Sequence, residues 1–535
     1  MARTKNLTIK EVTDDYLNGI NVNNPPKPDV IQADIIEDME KVFAIENAAR
    51  IKDKWKCPDK LNAMQIADIM LKLYPIRRIN LKTSAVDDGK SLLTIYQSDG
   101  EKKGLYVEDE EIFWKIAQQY SYGIQNSEFQ EILNILRRKA PLVMTCDDMN
   151  MIAVNNGIFD YRNKVLLDFT PDMVFLSKSR VNFNAQARNV VIHNDTDNTD
   201  WDVESWMDDL FDDPELVELM WKILGAIIRP NVPWDKSAWF YSESGNNGKG
   251  TLCELMRQLC GEGTYTSIPL SDFGKDFMLE PLTHASAIIV DENDVGIYID
   301  KAAYLKAVIT GDVIQLNRKF KTPISLQFKG FMVQCLNEMP RIKDKTESFY
   351  RRQLFVPFTK CFTGAERKYI KHDYLHRTEV LEYVLYKVLM LDYYELPVPK
   401  ACKEVLDEYK KYNDPVRQFM SEIMDQLVWD LVPFKFLYEL YNAWYKKNMG
   451  GDNRSSVQAF KTFKKELLKI LKDYPDWKSG GDKAYRPAKR MDRPEPLIAE
   501  YELKDWMNPM FISSNDVNKK CIPALKATYN GILRV

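Results

Sequence analysis

The segment WFYSESGNNGKGTLCELMRQLCG, Trp239–Gly261, sets an apolar strand-forming run, a turn rich in glycine and asparagine and an amphipathic helix in immediate succession. Where such a turn opens a helix, backbone N–H groups and the positive helix end hold phosphate oxygens, and a lysine reaches the β- and γ-phosphates. Lys249 fills the lysine position of G-x-x-x-x-G-K-[ST], but Glu243 stands at the first glycine and Gly250 at the Ser/Thr. The spacing predicts a variant ATP-binding loop of Ser244, Gly245, Asn246, Asn247, Gly248, Lys249, Gly250, Thr251 and Leu252. On its own it is equally well an ordinary glycine turn.

Three further segments weigh against the plain turn. ASAIIVDEND is an apolar strand ending in Asp291 and Glu292. Two carboxylates there are costly unless a cation sits beside them. Asp291 is expected to hold Mg2+ and Glu292 to orient or deprotonate the attacking water. The strand FKGFMVQCLNEMP delivers Asn337, an amide that can sense the γ-phosphate, and RRQLFVPF begins with Arg351 and Arg352. An arginine there can stabilise transition-state charge on a neighbouring subunit's ATP. Each segment alone has a bland explanation, such as an acidic loop or a salt-bridged strand start. Together they predict ATP hydrolysis by Lys249, Asp291, Glu292, Asn337, Arg351 and Arg352. The magnesium ligands would be Asp291 and, one residue late because Gly250 has no hydroxyl, Thr251.

The run VIQLNRKFKTPISLQFKG, Val313–Gly330, has four cations and no acid. It reads as a β-hairpin with a basic, aromatic tip. Arg318, Lys319 and Lys321 would track phosphates while Phe320 stacks on a base or wedges against a sugar.

In this order the segments resemble the superfamily 3 helicases, in particular the phage and plasmid primase-helicase group related to poxvirus primase-helicases. The resemblance runs from about residue 150 to 490. It is carried by NNGIFDYRNKVLLDFTPD, GNNGKGT, IIVDEND, the stretch from YLKAVITGD to YRRQLFVPF, and EYKKYNDPVRQFM. It implies an AAA+-like P-loop motor with a central, mainly parallel sheet, working as a hexameric ring that draws single-stranded DNA through its pore 3′ to 5′. Some members of the group share the G-K-G form. Members with fused primases carry a large catalytic domain ahead of this region. The residues before 150 show no convincing carboxylate cluster, so a separate primase or polymerase is the expected partner.

The elements that must position these residues fall into a sequence of expected domains. Residues 1–35, polar and broken by NVNNPPKPD, read as a mobile tail, and 36–200 as an α+β domain without a primase site. Within it SLLTIYQSDGEKKGLYVED gives two strands around Asp99-Gly100, and the acidic stretch 193–204 reads as a solvated linker, since it lacks the glycine and distal glutamate of a calcium loop. Residues 201–378 form the motor with its helical lead-in, 379–430 a helical connector, and 431–535 a winged-helix-like module. In the last, Phe460, Phe463, Leu467 and Leu471 make an apolar helix face. From Phe460 to Arg490 there are ten cations against four acids, with a hairpin turn expected at Gly480-Gly481. Lys464, Lys465, Lys483 and Arg486 are its candidate DNA contacts, including origin duplex.

Composition sets the bounds. The 535 residues are 45% hydrophobic and 28% charged, with net charge −4, so nucleic-acid binding must come from local basic patches. Eight cysteines without a C-x-x-C pair, and four histidines, disfavour zinc and disulfide frameworks. No apolar run is long enough to span a membrane, and the N-terminus lacks a secretory core. A soluble protein of a bacterial host cytoplasm is expected. The reading from another class is an origin-binding initiator or DNA-binding scaffold whose ATPase drives assembly rather than unwinding.

Overall fold

The computed structural model describes residues 4–48, 50–82, 89–299, 301–319, 321–448, 458–481, 483–514 and 516–535, with backbone alone at 321 and 322. It divides into two units, Met1–Lys403 and Glu404–Val535.

The first unit begins with helices where a tail was expected. α1 (Lys5–Gly19) and α2 (Pro28–Ala48) bury Ile9, Val12 and Leu17, and Ile31, Ile35, Met39 and Phe43. With the buried Thr13 counted, these recur at three- and four-residue intervals, and such a stripe outweighs the polar composition around it. The two helices share a core with α3 (Ala63–Leu73), α4 (Glu110–Tyr120) and α5 (Asn126–Lys139). Asn62 and Gln65 form a reciprocal capping box that starts α3. A four-stranded sheet accompanies the helices, in the order β3 (Tyr106–Val107), β2 (Leu92–Tyr96), β1 (Ile76–Asn80) and β4 (Leu142–Met144). β2 and β3 are antiparallel across the expected Asp99-Gly100 turn.

Next come the meander β5 (Met151–Val154), β6 (Gly157–Asp160) and β7 (Val165–Leu167), and the hairpin β8 (Ile192–Asn194) with β9 (Thr199–Trp201). That hairpin replaces the expected linker, because Ile192 and Trp201 pair across it and both are buried. Ile152, Phe159, Trp201 and neighbours belong to the motor's own core, so the boundary expected at 200 does not separate two cores.

α6 (Val203–Asp209) and α7 (Pro214–Ile228) lead into β10 (Ser237–Tyr241), α8 (Lys249–Cys260), β11 (Tyr265–Thr266) and β12 (Ala287–Val290). Then follow β13 (Tyr298–Ile299), α9 (Ala302–Thr310), the hairpin β14 (Val313–Arg318) and β15 (Lys321–Gln327), and β16 (Phe331–Leu336). β17 (Arg341–Ile342) pairs with β13, and α10 (Glu347–Tyr350) precedes β18 (Gln353–Pro357). Five strands form one sheet in the order β11-β12-β16-β10-β18, all parallel. AIIV and FMVQCL are buried at every position, as strands covered on both faces must be.

α11 (Lys368–His372) and α12 (Thr378–Met390) complete this unit. Val380, Leu381, Val384, Leu385, Val388 and Leu389 of α12 join the core under α7 and α8. The expected connector 379–430 is therefore not a separate piece. Its first part packs with the motor, and Val416, Phe419, Met420 and Ile423 pack in the C-terminal core. The division falls inside α13 (Lys400–Tyr412).

In the second unit the order is α14 (Pro415–Ile423), β19 (Leu431–Pro433), α15 (Phe434–Asn448), α16 (Phe460–Ile470), β20 (Trp477–Ser479), α17 (Leu497–Glu500), α18 (Val517–Lys520) and β21 (Gly531–Arg534). The sheet is antiparallel with β21 in the middle. Among the described residues no strand after Gly480-Gly481 pairs back on β20 to make the expected hairpin, because β20 pairs with the distant β21. Gly531 fits there only as glycine, since a Cβ would lie 2.1 Å from the Val432 carbonyl oxygen.

Candidate functional site

The parallel sheet brings three of the sequence-predicted segments to one edge. β10, β16 and β12 are neighbours, and their C-terminal ends deliver the loop 242–248, Asn337, and Asp291 with Glu292. In open α/β sheets the carboxyl ends of the strands are where ligands bind.

The loop is shaped by two left-handed residues, Asn246 at φ 51° and Gly248 at φ 87°. The positive φ calls for glycine at 248, and a Cβ there would also push on the tip of Leu210, whose Cδ2 would lie 2.6 Å away. Asn247 Nδ2 donates to the Ser244 carbonyl and braces the turn. The N–H groups of Thr251 and Leu252 both donate to the Gly248 carbonyl, which starts α8.

Lys249 is buried at 5% exposure, and its Nζ donates to Asn337 Oδ1 at 2.7 Å, the Leu336 carbonyl at 2.8 Å and the Ser242 carbonyl at 3.3 Å. None of these acceptors is charged, and burial pulls the ammonium below the ordinary lysine range. Asp291 is paired with Arg257 of α8, Oδ1 to Nη2 at 2.9 Å. Burial alone would raise its carboxyl, but the Arg257 hydrogen bond and charge hold it below the ordinary range. Glu292 and Asn337 are exposed at the same edge.

Arg351 and Arg352 lie elsewhere. They precede β18, which runs parallel to β10 with Ser237 opposite Gln353, so they sit at the amino ends of the strands, across the sheet from Lys249. Arg352 is half-buried and donates to the Ser348 hydroxyl and carbonyl, whereas Arg351 is exposed.

One part of the site was not read from the sequence. The segment 360–372 folds across the phosphate-loop candidate. Phe362 N donates to the Asn246 carbonyl at 2.7 Å, and Asn246 Nδ2 donates to Thr363 Oγ1 and Glu366 Oε1. Between this segment, α6 and the loop lies a cavity of about 580 Å3. Trp206, Leu210, Phe362 and Ile370 supply apolar walls, and Lys360, Arg367, Lys368 and Lys371 supply cations beside Asn246, Gly248 and Thr251. The visible signal was the basic run ERKYIKH just after the last motor strand.

The expected DNA contacts divide in the same way. In β14 the even positions Ile314, Leu316 and Arg318 face inward. Arg318 is not a DNA contact in this arrangement. Its guanidinium reaches Glu108 at 2.7 Å and Glu280 at 3.5 Å, tying the hairpin to the N-terminal layer. A two-residue period places it on the apolar face, a point that its charge obscured. Lys319 is exposed, Phe320 lies outside the described residues, and so does the side chain of Lys321. In the C-terminal unit Lys465, Lys483 and Arg486 are exposed, while Lys464 Nζ stands 4.6 Å from the centre of the Phe434 ring. Of the helix face expected there, Phe463, Leu467 and Leu471 are buried, and Phe460 is 41% exposed. Phe460 and Lys464 line a second cavity of about 820 Å3 together with Phe434, Tyr438, Trp506 and Tyr529.

Fold and site define a mixed α/β protein whose parallel sheet gathers a buried lysine, an amide and two carboxylates at one edge. Comparison with known proteins finds partial similarity to viral proteins. Residues 411–515 match the poxvirus D5 protein-like family, and residues 240–352 match a family of unknown function, DUF5906. A protein of Acanthamoeba polyphaga mimivirus named "Putative helicase L207/L206" is 23% identical over 331 residues, covering 56% of this chain. The chain spans 33% of that relative's length. Two solved structures of the apo NrS-1 C-terminal region align at 12% identity. One covers 89% of this chain and 100% of the other at a TM-score of 0.40, and the second covers 80% and 98% at 0.42. The resemblance to the superfamily 3 primase-helicases read from the motifs stands on the sequence matches.

Proposed function

We propose that the protein is an ATP-driven replicative DNA helicase of a phage, plasmid or other mobile element. It works in the host cytoplasm as a hexameric ring that moves 3′ to 5′ on single-stranded DNA. The observation that carries the reading is the convergence of Lys249, Asn337, Asp291 and Glu292 at the carboxyl edge of three adjacent parallel strands. Among the described residues no helix is long and apolar enough to cross a membrane.

In this reading the loop 244–252 and the start of α8 wrap the triphosphate. The base enters the cavity against Trp206, Leu210, Phe362 and Ile370. Lys249 gives up its carbonyl partners for phosphate oxygens, exchanging neutral acceptors for charged ones. Glu292, exposed beside Asp291, takes the proton of the attacking water, and Asn337 links the γ-phosphate to Lys249. The Asp291 carboxylate, kept ionised by Arg257, and the Thr251 hydroxyl are hard oxygen donors that fit Mg2+, which when bound neutralises charge between the β- and γ-phosphates. Lys319 and the rest of the hairpin tip would grip DNA in the pore. Replacing Lys249 by Ala tests the reading: ATPase and strand separation should vanish while circular dichroism shows a retained fold. Unwinding that survives in this variant rejects it.

The origin-binding alternative draws on the second unit. Apart from the two four-residue helices α17 and α18 between its last two strands, its order is helix-strand-helix-helix-strand-strand with the last strand in the middle of the sheet, which supports a winged-helix reading. Exposed Lys465, Lys483 and Arg486 would meet the phosphates of origin duplex. A gel shift with cognate and random duplex at raised salt separates the two, because nonspecific phosphate binding weakens steeply there. Sequence preference without unwinding would favour the initiator. Either activity calls for a separate primase or polymerase as partner.

A further inference from the structure

We infer that Lys371 is the cation that reads the γ-phosphate within the same chain, coming in over Gly250, where a bulky side chain would crowd it; the inference rests on the ATP-binding reading above. Gly250 stands where the usual loop has Ser or Thr. Its nearest non-local neighbour is Lys371, whose Nζ lies 3.7 Å from where a Cβ on Gly250 would be, with no other atom within 4 Å. The departure from the motif and the arrival of a cation therefore occur at one point.

Lys371 is half-buried on α11 and lines the cavity with Asn246, Gly248 and Thr251. Among the described residues its ammonium makes no hydrogen bond or ion pair, although one carboxylate, Asp291, lies close enough to feel its charge. Lys360, on the same wall, is already paired with Asp212 at 3.0 Å. Arg367 and Lys368 are exposed. Arg351 and Arg352 are across the sheet and cannot reach the nucleotide of their own chain. Lys371 thus stands between the loop and the acidic strand end, where the terminal phosphate of ATP would lie and ADP has nothing. A cation preorganised at that place stabilises charge that only the triphosphate brings.

The test is equilibrium binding of ADP and of a nonhydrolysable ATP analogue, each with Mg2+, to the full chain. Lys371→Ala should weaken the analogue by about tenfold to a hundredfold, the loss of one charge-assisted hydrogen bond, and leave ADP unchanged. Lys371→Arg should recover most of the difference. Gly250→Ala should match wild type, since a Cβ there is in ordinary contact, whereas Gly250→Val should crowd the lysine out and reproduce the Lys371→Ala loss. Adding Lys371→Ala to Gly250→Val should then cost nothing more. Melting curves of each variant show whether it folds. Equal weakening of ADP and the analogue, or no weakening of either, overturns the role of Lys371 while leaving ATP binding in place. A wild-type chain that binds neither nucleotide overturns the ATP-binding reading itself, and the inference with it.

Discussion

The Lys249 ammonium, at the start of α8, and the Asn337 amide oxygen, just past the end of β16, are 2.7 Å apart, and this contact joins the phosphate-loop candidate to the sensor candidate before any nucleotide arrives. It also leaves a buried cation with neutral partners only. Asn337→Asp should therefore act in opposite directions on stability and on binding. A counter-charge beside Lys249 relieves part of its burial cost and should raise the melting temperature of the nucleotide-free protein. The same carboxylate repels a triphosphate, so ATP affinity should fall by tenfold or more on the order of 1.4 kcal/mol. Thermal melts and titration with ATP measure both, and an unchanged ATP affinity would remove Asn337 from the phosphate site.

Arg318 and Lys319 are adjacent in sequence and should behave as different kinds of residue. Removing the Arg318 side chain takes away a guanidinium, 7% exposed, that bridges Glu108 and Glu280. Arg318→Ala should destabilise the first unit by about 3 kcal/mol, the usual scale for breaking a buried pair from one side. Lys319→Ala should leave stability unchanged and remove DNA stimulation of the ATPase while basal turnover persists. Denaturant unfolding and ATPase assays with and without single-stranded DNA distinguish them. Equal stability losses would contradict the inward and outward assignment.

Asn293, two residues past Asp291, is a positioning residue that sequence reading passed over. It is buried, donates to Gln334 Oε1 at 2.9 Å and the Cys335 carbonyl at 3.1 Å, and accepts from Leu270 N at 2.9 Å. These bonds fix the turn on which Asp291 and Glu292 stand. Asn293→Ala should cost about 1 to 3 kcal/mol through unsatisfied buried groups. It should lower kcat more than it raises KM, because the carboxylates shift while the phosphate loop does not. A KM effect alone would argue that the turn is held by other contacts.

How far the sequence was legible follows from what each signal depends on. The strand, loop and helix around Lys249 were readable because local chemistry determines them: an apolar run, a turn needing left-handed residues and a helical stripe all lie within Ser237–Cys260. The same holds for Asp291 and Asn337, which follow fully buried strands. What failed depended on distant partners. β20 chose β21 rather than a local hairpin, α12 joined the motor core, and α1 and α2 became ordered through a core shared with α3, α4 and α5. Lys371 reaches Gly250 only through the fold, and no spacing rule links two residues so far apart.

Arg351 and Arg352 give the sharpest test of assembly, because the strand geometry forbids them from serving their own chain. β10 and β18 are five residues long and in register, so roughly 16 Å of strand separates the arginines from the loop. Arg352 is occupied with Ser348, which leaves exposed Arg351 as the better finger. Arg351→Ala and Lys249→Ala should each abolish ATPase alone. When the two variants are mixed under conditions that allow subunits to exchange, a site can form between an intact Lys249 on one chain and an intact Arg351 on the next. Random mixing at equal amounts should restore roughly a quarter of the sites in a head-to-tail ring. Arg352→Ala should instead lower stability, and its residual ATPase should not depend on mixing. ATPase measured across mixing ratios reads the outcome directly. A mixture that stays inactive, although exchange is shown by labelled subunits, would mean that Arg351 does not act across an interface and that the hexamer needs another arginine for its transition state.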